Sequence, residues 1–149
     1  MRRLSVIFLF IVLLSCGSDG PVDDPIPFQS FPTISFSISL PAYSALQVDG
    51  GHKEISEFNG ELVGIRGIIV YRENATTFRA FEQNCSFQPN DACANVQAFA
   101  LNMQDACCGS IFRYDDGEPA GGLAWRPLGQ YKASITGSTV TITDEVINY

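Results

Sequence analysis

The sequence predicts an all-β domain, either a sandwich or a small barrel. Three observations carry this. Apolar and polar residues alternate in runs of strand length, turn residues recur about every eight to twelve positions, and no amphipathic helical pattern exceeds two turns. A chain of 149 residues can bury one sizeable core.

The elements follow in order from Thr33. Ile34, Phe36, Ile38 and Leu40 alternate with Ser35, Ser37 and Ser39, the period of a half-buried strand, and Pro41 ends it. Tyr43 to Gly51 fits no single period and closes on a Gly50-Gly51 turn. Gly67 to Arg72 is a short apolar run of the kind buried on both faces. Glu73-Asn74 supplies a turn, and Thr77 to Phe81 alternates again, which makes a hairpin. Val96 to Leu101 is the next strand. Ile111 to Tyr114 runs into the turn Asp115-Asp116-Gly117, and a Gly/Pro-rich loop spans Glu118 to Pro127. Tyr131 to Ile135, the Gly137-Ser138 turn and Thr139 to Thr143 form a closing hairpin.

Upstream, the chain has the pattern of an export signal. Met1-Arg2-Arg3 is basic, Leu4 to Leu14 is nearly all apolar, and Ser15-Cys16 follows directly. The apolar run is far short of the about 20 residues needed to span a bilayer. The junction Leu13-Leu14-Ser15-Cys16 resembles the lipobox of bacterial lipoproteins, which implies cleavage before Cys16 and acylation of that cysteine. The expected organisation is a signal over 1–15, an acidic Pro-rich tether over 16–32 and the β domain over 33–149. The tether is expected to be extended and solvated, and its Asp19, Asp23 and Asp24 resemble acidic signals that sort some lipoproteins to the outer surface. Cleavage removes Arg2 and Arg3 and no acidic residue, which takes the formal charge from −7 to −9. Such a chain is repelled by phosphate backbones and by anionic lipid, so nucleic acid is excluded as a partner and membrane attachment rests on Cys16.

Four cysteines remain: Cys85, Cys93, Cys107 and Cys108. Export places them where disulfides persist, and four cysteines allow three pairings. The same residues could form a four-thiolate site for zinc or a rubredoxin-like iron. Structural zinc sites, however, pair ligands about two to four residues apart within each arm, whereas Cys85 and Cys93 are eight apart and Cys107-Cys108 are adjacent.

The arrangement around these cysteines resembles the Rieske iron–sulfur fold from roughly Gly64 to Ile142. A hairpin, Gly67 to Phe81, leads into the first cysteine loop. The second loop ends Cys108-Gly109-Ser110-Ile111-Phe112, similar to the family's His-Gly-Ser-x-Phe except at the histidine. Gly122-Leu123-Ala124-Trp125-Arg126-Pro127-Leu128 is similar to its third loop, Gly-Pro-Ala-x-x-Pro-Leu, with Leu123 in place of the first proline. Tyr131, Ser134, Gly137 and Val140-Thr141-Ile142 match the closing strands. The resemblance implies layered antiparallel sheets in two Greek-key-type layers, carrying a two-loop cysteine tip.

Cluster chemistry does not come with the resemblance. The family's two cysteines and two histidines fall on Cys85, Phe87, Asp105 and Cys108, so three of the four ligands are replaced. The chain has one histidine, His52, far upstream of both loops, so a two-histidine iron cannot be built within one molecule. No cofactor is expected; the alternatives are an altered [2Fe–2S] centre or a single metal at Cys85, Cys93, Cys107 and Cys108. By analogy with family members that carry an extra loop-to-loop bridge, Cys93 is expected to pair with Cys107 and Cys85 with Cys108. Ser110, Trp125 and Arg126 complete the tip. Ser110 is expected to structure its loop, and Trp125 to cover the vacated cluster pocket, with an exposed Trp125–Arg126 recognition patch as the alternative.

Other chemistry is thin. Asp115, Asp116 and Glu118 read as solvated turn formers, His52 as a surface-loop residue, and no catalytic constellation is expected. The leading reading is a lipid-anchored, non-enzymatic binding or structural module of the bacterial cell envelope, on the periplasmic face or outer-membrane surface. Its partners are then the membrane through acylated Cys16 and a protein at the tip. Electron transfer through an altered centre or a redox-active disulfide competes with it, as does an accessory subunit of an envelope oxidoreductase.

Overall fold

A computed structural model describes residues 24–148. The expected signal and Cys16 lie outside the described residues. The chain forms β1 (Ile34–Ser37), a 3-10 helix (Pro41–Gln47), β2 (His52–Ile55), β3 (Glu57–Phe58), β4 (Glu61–Leu62), β5 (Ile68–Asn74) and β6 (Thr77–Glu82). There follow β7 (Val96–Ala98), β8 (Met103–Asp105), β9 (Ile111–Phe112), β10 (Pro119–Gly121), β11 (Gln130–Thr136) and β12 (Thr139–Asn148). A six-stranded sheet runs β1-β12-β11-β6-β5-β2, a four-stranded sheet runs β10-β9-β8-β7, and β3 pairs with β4; every pairing is antiparallel.

The central hairpin β5–β6 is shared by two cores, which explains the unbroken apolar run. Ile68 and Val70 point into one core with Ile34, Phe36, Leu46, Phe78, Val140 and Ile142. Ile69 and Phe81 point the other way, into a second core with Cys85, Val96, Met103, Phe112 and Leu128. Successive strand residues face opposite sides, so one run of apolar residues feeds both layers. The four-stranded sheet and its cysteine loops therefore sit on the outer face of the hairpin.

Two polar side chains fix where the hairpin hands over to the first cysteine loop. Glu82, at the end of β6 and only 3% exposed, accepts hydrogen bonds from the backbone N–H of Ile65, Arg66 and Asn84 and from the Tyr131 hydroxyl, at 2.9, 3.3, 3.0 and 2.7 Å. Arg66 in turn donates to Asn84 Oδ1 and to the carbonyls of Ala92 and Asp91, at 2.6, 2.9 and 2.6 Å. Buried polar groups must be paired, and this set pairs them across four segments.

Several boundaries differ from expectation. The first strand stops at Ser37 rather than Leu40, because the Leu40 N–H turns back to the Ser37 carbonyl and Pro41 starts a 3-10 helix through the ambiguous segment. The β5–β6 turn is Ala75-Thr76, not Glu73-Asn74; Asn74 stays in the strand and its Oδ1 accepts the Thr76 N–H at 3.0 Å. The last strand extends to Asn148 instead of Thr143, carried past two register shifts against β11. His52 lies in β2, paired with Tyr71 and stacked on Tyr114 at 5.8 Å, rather than in a loop. The domain also begins before Thr33. Phe31 is buried edge-on against Tyr131, Ser30 Oγ donates to Asp144, and the Asp24 carbonyl accepts from Arg126, so parts of residues 24–32 contact the fold while Pro25, Phe28, Ser30 and Pro32 stay exposed.

Candidate functional site at the cysteine tip

The first loop, between β6 and β7, is closed at its base by a bridge between Asn84 and Asn95 and by the Val96 N–H to the Gln83 carbonyl at 2.7 Å. Inside it the Cys85 N–H reaches the Ala94 carbonyl at 3.2 Å, which turns the Cys85 side chain into the second core, fully buried. The second loop joins β8 to β9. The Gly109 N–H bonds the Asp105 carbonyl at 2.8 Å, and Asp105 Oδ1 accepts the Cys107 N–H at 2.7 Å, a local turn that an aspartate supplies unaided. Gly109, at φ 70°, takes the left-handed conformation this turn needs.

The third loop lies directly on the second. Gly122 approaches so closely that a Cβ there would stand 2.3 Å from the Gly109 carbonyl oxygen, so only glycine fits. The Ala124 N–H then donates to Ser110 Oγ at 2.9 Å. Ser86 Oγ donates to the Arg126 carbonyl at 2.7 Å, while the Arg126 guanidinium donates back to the Ser86 carbonyl at 2.8 Å. All three loops are thereby tied together.

A disulfide joins Cys93 to Cys107 across the first two loops, with Cα atoms 5.7 Å apart. The four-thiolate set is therefore not formed, since two of its sulfurs are consumed. The expected Cys85–Cys108 bridge is not formed either. Both residues are free thiols with sulfurs 3.7 Å apart. Cys108 Sγ is satisfied without a bond to Cys85, standing 3.5 Å from Asp105 Oδ2 and 3.0 Å from Ser110 Oγ. Asp105 itself is 1% exposed. Burial, reinforced by the Asp105 carboxylate, holds the Cys85 thiol well above the ordinary thiol range. A buried thiol of this kind is a poor nucleophile.

Of the residues named from the sequence, Cys85, Asp105, Cys108 and Ser110 converge. Phe87 packs against the second core, together with Ala124. Trp125 is 48% exposed, its ring 4.9 Å from the Arg126 guanidinium carbon, and Leu123 beside it is 59% exposed. Ala124 packs against the second core, and its N–H reaches Ser110 Oγ. Asp115, Asp116 and Glu118 stay in their turn, where Arg113 pairs with both aspartates and Asp116 Oδ1 accepts the Glu118 N–H. Reading along the sequence missed Glu82 and Arg66, most of whose partners lie too far along the chain for a local pattern to mark them.

The residues do not fit a cluster with two cysteine and two histidine ligands. Phe87 offers no ligand atom, and His52 is held in β2 against Tyr114.

No family model matches the chain, and no curated protein matches it. Among solved structures, a chain from the complex of reduced oxygenase and oxidised ferredoxin in carbazole 1,9a-dioxygenase superposes with a TM-score of 0.52. The match covers 78% of this chain and 97% of that one at 18% identity. The fold is Rieske-like. At that identity the likeness is one of fold alone. Within the Rieske-like frame the second core lies beneath the tip, with Cys85 and Tyr114 both buried in it. Tyr114, below the tip, is held above its ordinary value of 10.0, chiefly by burial and then by the Glu54 charge. The folded protein thus keeps protons that the unfolded chain releases, from Cys85 near 9.0 and from Tyr114 near 10.0. Stability is fully present below these values and falls as pH rises through them. Urea midpoints taken between roughly pH 7 and pH 11 should decline, and Tyr114→Phe should flatten the decline. An unchanged slope in that variant would show that Tyr114 does not contribute.

Proposed function

We propose that this protein is an exported, lipid-anchored, non-enzymatic binding module of the bacterial cell envelope, in which a Rieske-like frame presents a braced three-loop tip instead of an electron-carrying cluster. The observation that carries the reading is the cluster position itself: two free sulfurs in contact at 3.7 Å, with Phe87 packed against the second core at a ligand position of the family pattern. Anchoring rests on the lipobox-like Leu13-Leu14-Ser15-Cys16. Two acyl chains hold a protein stably at a bilayer where one does not. The contact surface is the third loop, where Leu123 and Trp125 are exposed and Arg126 stacks on the Trp125 ring. Trp and Arg are the side chains most enriched where proteins bind each other.

Two measurements test this on the full-length chain recovered from membranes. Iron, acid-labile sulfide and visible absorbance should all be absent, and stoichiometric iron with sulfide would overturn the reading. A photo-crosslinker at position 123 should give a discrete protein adduct in intact envelopes, whereas one at Leu62, exposed on β4, should not. The same adducts from both positions, or none from 123, would remove the tip as the contact surface. A second reading, reversible dithiol–disulfide chemistry between Cys85 and Cys108, is favoured by the short sulfur separation but opposed by the burial of Cys85. Alkylation of the native protein separates the two. Cys108, half-buried, should react first, and equal reactivity of the two thiols would favour the redox reading.

A further inference from the structure

We propose that Cys85, Cys108 and Asp105 form a binding site for a single thiophilic divalent cation of the zinc class, built in the space the Rieske-like fold leaves at its tip. The three ligand atoms all lie within 4.8 Å of one another. A tetrahedral ion with metal–sulfur bonds of about 2.3 Å and metal–oxygen bonds of about 2.1 Å has sulfur–sulfur edges of about 3.8 Å and sulfur–oxygen edges of about 3.6 Å. The Cys85–Cys108 and Cys108–Asp105 separations are 3.7 and 3.5 Å, so two edges of such a tetrahedron already have its length, and the third, Cys85–Asp105, is within 4.8 Å.

The surroundings support the same assignment. Asp105 is almost fully buried, yet among the described residues no Lys, Arg or His forms an ion pair with it. A buried carboxylate normally has a cation or several donors beside it. Here Oδ1 is pinned by the Cys107 N–H at 2.7 Å, which turns Oδ2 toward Cys108. Donation to the outer oxygen is how second-shell groups orient a ligating carboxylate. The Cys93–Cys107 disulfide holds the two ligand-bearing loops together without supplying a ligand. On binding, the two thiol protons pass to water and two metal–sulfur bonds form. The fourth position falls to water or to Ser110 Oγ, 3.0 Å from Cys108 Sγ. Two soft sulfurs with one oxygen suit zinc or cadmium better than magnesium or calcium, which take oxygen ligands.

The inference rests on the cluster-free reading above, and the assay keeps the two apart. The full-length chain carrying Cys16→Ser is titrated with Cd²⁺ in detergent without reductant, so that the Cys93–Cys107 disulfide stays closed, following the ultraviolet thiolate-to-metal charge-transfer band. One Cd²⁺ per chain is expected, displaceable by Zn²⁺. Cys85→Ser or Cys108→Ser should abolish the band, and Asp105→Asn should weaken binding by about tenfold or more. Cys93→Ser/Cys107→Ser should retain one ion, which rules out the Asp91, Cys93 and Cys107 group as the site. Should a cysteine variant fail to fold, X-ray absorption on the zinc-loaded protein with its cysteines intact still decides, since two sulfur and two lighter neighbours are expected. No band, a band that survives Cys108→Ser, or a four-sulfur shell would overturn the proposal. Iron with labile sulfide would overturn the cluster-free reading as well, whereas failure to bind Cd²⁺ overturns this site alone.

Discussion

Glu82→Ala should lower the free energy of unfolding by roughly 3–5 kcal/mol, since each buried donor left without a partner costs about 1–3 kcal/mol and such costs add only in part. The carboxylate serves the backbone N–H of Ile65, Arg66 and Asn84 and the Tyr131 hydroxyl. The residue is 3% exposed, so water does not reach these donors freely. Glu82→Gln keeps one acceptor oxygen but turns an amide against the remaining donors, so an intermediate loss is expected. Urea denaturation checks both, with the midpoint falling and the slope unchanged. The consequence extends to the tip: Asn84 precedes Cys85, so loss of its anchor should speed alkylation of Cys85 in the native protein. A cost under about 1 kcal/mol for the alanine variant would show that the carboxylate does not organise this junction.

The second large effect concerns the disulfide. Cys93 and Cys107 are 14 positions apart, and a crosslink closing a loop of about 15 residues is worth roughly 3 kcal/mol in the chain-entropy account. Cys93→Ala/Cys107→Ala should therefore lower stability by about that amount. Both cysteines are exposed, so a reducing agent reaches them without unfolding, and the reduced parent protein should denature at the midpoint of the variant. The variant itself should be insensitive to the reductant. Equal midpoints for oxidised and reduced parent protein would show that the bridge does not restrain the unfolded chain.

Much of the architecture was legible because strand periodicity is local. The alternation at Ile34–Phe36, the apolar run in β5 and the Gly137-Ser138 turn each mark their element through neighbours a few residues away. The strands that escaped notice are short or polar. β2 reads His-Lys-Glu-Ile and is held by β5, while β8 has three residues and is held by β7 and β9. Such segments take strand form because a partner offers a ladder, not because their own residues demand it.

At the tip the division is sharper. Sequence alone determined that one histidine and the residues Phe87, Asp105 and Cys108 cannot supply a two-cysteine, two-histidine ligand set, because a ligand inventory needs no geometry. It left three ways to pair four cysteines. The family resemblance pointed to Cys93–Cys107, which the tertiary structure holds, and to Cys85–Cys108, which it leaves as thiols 3.7 Å apart, while the half-exposure of Trp125 is visible only in the structure. The reason is physical. Which sulfurs approach is set by the register of β7, β8 and β9 and by hydrogen bonds that Arg66 donates to Asn84, Tyr131 to Glu82 and Ala124 to Ser110, the last three made between residues well separated in the chain.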